Sequence, residues 1–217
     1  AFRLMGSAMY HYMERACTPP NAYVERGVAL HQMARLATYG ASADAYLNFI
    51  GNEFGHPEWL DMPCDANGNS LRFARRRWDL ADDASLRYSQ LLAFDCAMHA
   101  AEDAVRWMRS APPTREAVYT CTERQLMWFA RGSTVFFFNW HASAGVDTEL
   151  EVGADLEPLA RLNTPPKLTL TTDAECFGGL SRRVGLSFVP VRGPSRVGGI
   201  ARLSVQLPAR VGVAFAC

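Results

Sequence analysis

The sequence predicts an α/β segment followed by an all-β domain. Residues 45–50, "AYLNFI", are apolar on both faces, which is typical of a parallel strand that is covered on both sides. Helical patterns lie on either side of this run. Beyond the double proline Pro112-Pro113, short alternating segments follow one another, which favours antiparallel sheets. We therefore divide the chain into an α/β part, residues 1–111, and an all-β domain, residues 112–217.

Two helices are predicted in the first part. Asn21 follows a double proline and is a suitable N-cap, and apolar residues then recur on one face as far as Gly40, which can close the helix. The second helix is predicted from Ser85 to about Asp103. Between them, residues 51–83 form a polar stretch that is too long for a simple connection, so we expect a functional loop there.

Strand patterns dominate the second part. Residues 117–141 are predicted to form two strands that are joined by a turn at Arg131-Gly132-Ser133. Further strand patterns are "LTLTT", "ARLSVQL" and "VGVAFA". Short strands at this spacing predict an antiparallel β-sandwich. The stretch 190–199, which is rich in Gly, Pro and Arg, is expected to be a loop.

The composition argues against several classes of partner. The 217 residues carry a net charge of +0, so there is no basic excess that would indicate binding to nucleic acid or to an anionic membrane. No apolar run approaches the roughly 20 residues that span a bilayer. The six cysteines are far apart and form no C-x-x-C pair, which favours reduced thiols in an intracellular protein. No metal-ligand spacing is present, and we expect neither a metal nor a cofactor.

The predicted strand leads directly into "GNEFGHPEW", and this stretch supplies the candidate site residues Asn52, Glu53, His56 and Trp59. In parallel α/β barrels, active sites lie at the C-terminal ends of the strands. Glycines let the backbone turn sharply and approach a ligand. An aromatic ring for stacking beside acceptors for hydroxyl groups suits a sugar.

A purely structural interpretation of the same residues stays open. In this interpretation Glu53 and His56 bond to the backbone of a tight loop and have no role in binding, and Trp59 fills the core. The run Arg75–Arg77 is interpreted as a solvated or loop-bracing face, and His31 as a packing or surface residue. The aromatic residues near "FFFNW" are interpreted as sandwich core.

Several segments of the chain resemble the eukaryotic type of 1,4-alpha-glucan branching enzyme, a member of the alpha-amylase superfamily. The most specific segment is "YLNFIGNEFGHPEWLD", which resembles the last barrel strand of that family and the loop after it. The resemblance covers nearly the whole chain. The other segments that carry it are "AFRLMGSAMYHYM", "ERGVALHQMARL", "ARRRWDLADDASLRYSQLLAFDCAM", "FFFNWH", "DAECFGG" and "LPARVGVAF".

The resemblance implies a fold, a reaction and a partner. The fold would be the C-terminal end of a (β/α)8 barrel, with its last strand and flanking helices, followed by a C-terminal antiparallel β-sandwich. The reaction would be a retaining double displacement that transfers an α-1,4-glucan segment to a 6-hydroxyl group. In that family the three carboxylates come from segments before Ala1, so we assign no catalytic residue in this chain. The partner would be an α-glucan, glycogen or starch, in the cytoplasm or a plastid.

The chain also departs from the family pattern at three positions. Cys64 stands where an Arg is usual, Leu71 lies where an aromatic residue is usual, and Leu180 replaces a common His. These departures suggest altered loop geometry and glucan contacts. They leave open an alternative function, a non-catalytic glucan-binding or interaction protein that derives from a truncated or divergent branching enzyme. An amylase-like hydrolase or debranching enzyme is a further alternative.

Overall fold

The computed structural model describes residues 2–115, 118–152, 166–189 and 201–217. Its helices are α1 (Phe2–Met5), α2 (Ala22–Ala41), α3 (Trp78–Asp82) and α4 (Arg87–Val105). Its strands are β1 (Tyr119–Cys121), β2 (Leu126–Arg131), β3 (Thr134–Asn139), β4 (Val146–Val152), β5 (Lys167–Thr171), β6 (Gly185–Val189), β7 (Ala201–Leu207) and β8 (Val211–Ala216). The expected loop at 190–199 lies outside the described residues.

The two long helices confirm the predictions from local sequence. Asn21 caps α2, because its side-chain oxygen accepts hydrogen bonds from the amides of Tyr23 (3.0 Å) and Val24 (3.2 Å). The predicted end at Gly40 is wrong by one residue: α2 ends at Ala41, and Gly40 lies within its last turn. The second helix, α4, begins and ends two residues later than predicted.

The strand predicted at 45–50 is not formed within the described residues. Exposure still alternates there as in a strand: Leu47 and Phe49 are 92% and 67% exposed, whereas Tyr46 and Asn48 are half-buried. Among the described backbone groups of residues 46–50, the one hydrogen bond found joins the Phe49 carbonyl to the amide of Asn52 (3.0 Å). A strand needs a neighbouring strand to pair with, and no described strand pairs with this segment.

The second part forms two antiparallel sheets. One has the strand order β1-β2-β3-β8-β5 and the other β4-β7-β6. The predicted turn is confirmed, because Arg131 of β2 pairs with Thr134 of β3 across Gly132 and Ser133. The prediction of two strands in residues 117–141 is wrong, because β1 is a third strand there and pairs with β2. The sheets share a core to which the first contributes Trp128 and Phe137. Leu203 and Val205 belong to the opposite sheet and lie in this same core, so the predicted antiparallel sandwich is present.

The helices cover the outer face of the five-stranded sheet. A second core joins Met33 and Leu36 of α2 and Phe94 of α4 to Phe136 and Phe138 of β3. Since both faces of β3 are covered, all six of its residues are buried, which explains the unbroken apolar run. This core crosses the boundary between residues 111 and 112, and the division of the chain into two domains there stays a prediction.

Candidate functional site

A tight turn begins the candidate site. Gly51 and Gly55 have φ values of +88° and +73°, and the amide of His56 donates to the carbonyl of Gly51 (2.8 Å). A Cβ atom on Gly51 would lie 2.5 Å from the Cβ of His56. Position 51 therefore requires glycine for its backbone conformation and for space, as the sequence indicated. The Phe54 ring is fully buried in a third core with Met5, Val28 and other residues, which anchors the turn.

Asn52 is attached to helix α2 through its backbone. Its carbonyl oxygen lies 2.9 Å from Nε2 of His31. Burial is the main cause that lowers the pKa of His31 to about 3, so the imidazole is neutral at physiological pH. A carbonyl can only accept, and Nε2 must therefore carry the proton. Of the two sequence interpretations of His31, a packing or a surface residue, the structure supports the first, and His31 also fixes the site loop.

Glu53 is buried, and protein groups hold both of its carboxylate oxygens. Nη1 of Arg76 lies 2.5 Å from Oε1, and Nδ2 of Asn48 lies 3.0 Å from Oε2. Burial tends to raise the pKa of this carboxyl group, but the bonds from Arg76 and Asn48 outweigh it, and the pKa is lowered. Glu53 is thus an ionised structural anchor, and its side chain faces protein donors.

His56 and Glu58 also bond within the protein. Nδ1 of His56 lies 3.0 Å from the carbonyl of Glu58, so Nδ1 carries a proton and donates it to this carbonyl. Nε2 of His56 is buried and has no partner among the described residues. The Glu58 carboxylate pairs with Nη1 of Arg77 at 2.7 Å. The His56 ring lies edge-on to Phe54, with centroids 5.7 Å apart.

Trp59 differs from the other three predicted residues because its side chain stands out from the protein. It is 81% exposed, so the interpretation of Trp59 as a core residue is wrong for the described structure. The amide of Asp61, two residues on, donates to the carbonyl of Phe73 (3.1 Å), which joins the two sides of the long loop. Phe73, in the same loop, and Trp78, the first residue of α3, are also partly exposed.

The positions that depart from the family pattern lie on the surface. Cys64, Leu71 and Leu180 are all exposed. Near Cys64 the loop is closed by Asn67, whose Oδ1 accepts from the amide of Cys64 (3.0 Å) and whose Nδ2 donates to Asp61 (2.8 Å). The loop therefore has its own internal support at the place where the usual Arg is missing.

Sequence reasoning singled out the run Arg75–Arg77 as a possible loop brace, but it paired neither Arg76 nor Asn48 with Glu53. Asn48 bonds to Glu53 on one side and accepts from Nη1 of Arg35 (2.6 Å) on the other, and Arg35 pairs with Asp95 of α4. One signal pointed to Asn48: an amide within an apolar run needs a buried partner. Within the part of the chain that the structure describes, no cluster of His, Cys, Asp and Glu could hold a metal ion, and no helix could span a membrane.

Comparison with known proteins finds relatives along most of the chain. It is 40% identical over 182 residues to the 1,4-alpha-glucan-branching enzyme of Rhizophagus irregularis, which covers 84% of this chain and 25% of that protein. The Dictyostelium discoideum enzyme of that name is 41% identical over 182 residues, which cover 82% of this chain and 25% of that protein. The Yarrowia lipolytica enzyme is 35% identical over 222 residues, which cover 100% of this chain and 30% of that protein.

The chain thus spans between a quarter and a third of the length of these relatives. No family model matches it. Among solved structures, a debranching enzyme from Nostoc punctiforme is 18% identical with a TM-score of 0.47, over 88% of this chain and 31% of that one. That likeness is too loose to support an argument.

Proposed function

We propose, from the premise that this chain belongs to the 1,4-alpha-glucan-branching enzyme family, that it is the C-terminal part of an enzyme that makes α-1,6 branches in an α-glucan. The enzyme cuts an α-1,4-glucan and transfers the segment to a 6-hydroxyl group by a retaining double displacement. The carboxylates for this chemistry come from other segments of the full-length protein. The described residues contribute binding and support.

The observation that carries the proposal is the unpaired segment 46–50 beside the candidate loop. It lies against α2 and α4, because Asn48 bonds to Arg35 and the Tyr46 ring packs near His99. It alternates in exposure and presents Leu47 and Phe49 outwards. A cavity of about 210 Å³ lies along it, with His31, Arg35 and Leu47 in its lining. These features support a last barrel strand whose partners are strands elsewhere in the full-length protein, with Leu47 and Phe49 in the barrel interior.

In such a barrel, the turn at Gly51 lies at the C-terminal end of the strand, where the substrate groove of a barrel enzyme is found. Trp59 then stands on the rim of the groove, and its ring offers a stacking face for a glucose unit. Asn52, Glu53 and His56 take part through the backbone bonds and ion pair that shape the loop. No observation favours the non-catalytic alternative.

The test uses amylose as substrate and two proteins: the full-length gene product and the 217-residue chain alone. We expect the full-length protein to form α-1,6 branch points, measured as new short chains after enzymatic debranching, and the chain alone to form none. Release of reducing ends without branches would identify a hydrolase instead. Branch formation by the chain alone would show that the carboxylates have been wrongly placed outside it.

A further inference from the structure

Two consecutive arginines hold the two carboxylates of the candidate loop. Nη1 of Arg76 lies 2.5 Å from Oε1 of Glu53, and Nη1 of Arg77 lies 2.7 Å from Oε1 of Glu58. The neighbouring Arg75 is exposed and makes no ion pair within the described residues. The run of three arginines is therefore not a uniform charged face, because two of its members point to specific partners on the loop.

The inner pair ties the loop to the helices. The Glu53 side chain is only 7% exposed, and a buried charge is costly unless it is paired. Its second oxygen bonds to Asn48, which bonds to Arg35 of α2, which pairs with Asp95 of α4. A continuous polar chain thus connects Arg76 on the surface to the helix layer.

The outer pair ties the loop to α3. The Arg77 guanidinium uses Nε and Nη2 to hold Asp79, with distances of 2.8 Å and 2.6 Å, and keeps Nη1 for Glu58. The hydrogen bonds that Arg77 donates to Asp79 and, to a smaller extent, to Glu58 raise its pKa above the ordinary value. Each member of the pair with Glu58 is one-third exposed, so this contact is weaker than the inner one.

Packing reinforces the inner contact. The Arg76 guanidinium lies 4.8 Å from the ring centre of Trp78, and Trp78 lies 5.2 Å from the buried Phe54. Trp59 itself lies between two fixed points, Glu58 on one side and Asp61, whose amide bonds to Phe73, on the other. The exposed indole is therefore presented by a braced loop.

We propose that Arg76 and Arg77 are positioning residues of the glucan site, which hold the loop 51–59 so that the Trp59 ring is presented to the glucan chain. This inference rests on the proposed branching function. It assigns to the arginines a role in substrate binding rather than in the chemical step. Loss of either arginine should therefore raise KM for amylose and leave kcat nearly unchanged.

The experiment compares Arg75→Gln, Arg76→Gln and Arg77→Gln in the full-length protein, with Arg76→Lys as the conservative variant. Two quantities are measured: KM and kcat for the branching of amylose, and amide hydrogen exchange in residues 51–59. We expect Arg76→Gln to raise KM about tenfold and Arg77→Gln about threefold, both with faster exchange in the loop. Arg75→Gln should match the wild type, and Arg76→Lys should recover part of the loss.

The outcomes separate this inference from the proposed function. A wild-type protein that does not branch amylose would overturn the function and, with it, the role in glucan binding. A wild-type protein that branches amylose, with Arg76→Gln and Arg77→Gln at unchanged KM, would overturn the positioning role alone. An equal rise in KM for Arg75→Gln would also overturn the positioning role, because it would show that the effect comes from the positive charge of the arginine run and not from the specific ion pairs. If Arg76→Gln does not fold, Arg77→Gln and Arg76→Lys decide the question.

Discussion

Arg131, on strand β2, donates from Nη1 to the carbonyl oxygen of Ser42, 2.7 Å away, just after the end of helix α2. The same guanidinium bonds to the carbonyls of Gly40 (3.2 Å), Ala43 (3.1 Å) and Ser110 (3.1 Å). Arg131 is only 2% exposed. It thus satisfies carbonyl groups at the negative end of the helix, and it ties the helix layer to the sheet.

Arg131→Met should therefore destabilise the protein by about 3 kcal/mol, because it leaves the buried carbonyl of Gly40 and three partly buried carbonyls without this donor. Arg131→Lys should recover part of the loss, since a lysine cannot reproduce the planar fork. The measurement is the urea unfolding midpoint at pH 7. Arg124→Met, at an exposed arginine between β1 and β2, is the matched control and should change stability little. An unchanged midpoint for Arg131→Met would show that these hydrogen bonds contribute nothing to the free energy of unfolding.

The fold was predictable where the signals are local. The Asn21 cap, helix α4 and the hairpin around Gly132 each depend on residues within a few positions of one another. The shared core could not be predicted in the same way, because it depends on how α2 and α4 lie on β3. The prediction of a strand at 45–50 is wrong for a related reason. A strand forms only beside another strand with which it pairs, and the described residues supply none for this segment.

The candidate site was predictable to a similar extent. The glycines at 51 and 55 predicted the turn, since a positive φ is a property of the residue itself. The partner of Glu53, Arg76, lies 23 residues further along the chain, and no pattern at that spacing marks it. The exposure of Trp59 likewise follows from the path of the loop, which neither its own side chain nor its neighbours determine.

Stability should decrease in mild acid because of His31. Its pKa is lowered from 6.5 to about 3 in the folded protein, chiefly by burial, so the unfolded chain binds the proton more readily between these values. The stabilising contribution is complete above pH 6.5 and declines as the pH falls towards 3. Between pH 6.5 and 5.5 we expect a loss of about 1 kcal/mol from this residue.

A side chain at Gly179 should destabilise the protein. A Cβ atom there would overlap the backbone of Asp173, whose buried carboxylate holds Arg182 at 2.8 Å. Gly179→Ala should cost about 2–3 kcal/mol. Gly68→Ala is the control, because Gly68 has a φ of +64° but open space around it, and it should cost only about 1 kcal/mol. Equal costs in thermal unfolding would show that the overlap is relieved by a small shift.

The loss of stability in mild acid that is predicted above for His31 is tested with His31→Gln. The glutamine amide can still donate to the Asn52 carbonyl but does not titrate. The unfolding free energies of both proteins are measured in urea at pH 7.5, 6.5 and 5.5. The difference between wild type and variant should shrink towards acid pH. Parallel pH profiles would mean that the imidazole is protonated as easily in the folded protein as in the unfolded chain.

Trp59→Ala should impair glucan use and leave stability nearly unchanged. The ring is 81% exposed, so its removal creates no cavity in the described structure. If the ring stacks on a glucose unit, its loss should lower kcat/KM for amylose by the equivalent of about 1–3 kcal/mol. The measurements are branching kinetics and the melting temperature of the full-length protein.

The matched control for Trp59→Ala is Trp107→Ala, at a tryptophan that is 1% exposed and packs against Tyr39 and Phe136. Its loss should cost about 3–5 kcal/mol of stability. A similar fall in melting temperature for Trp59→Ala would mean that another part of the full-length protein, rather than glucan, covers the ring. If neither activity nor stability changes, the loop is a connector, and the stacking role of Trp59 is wrong.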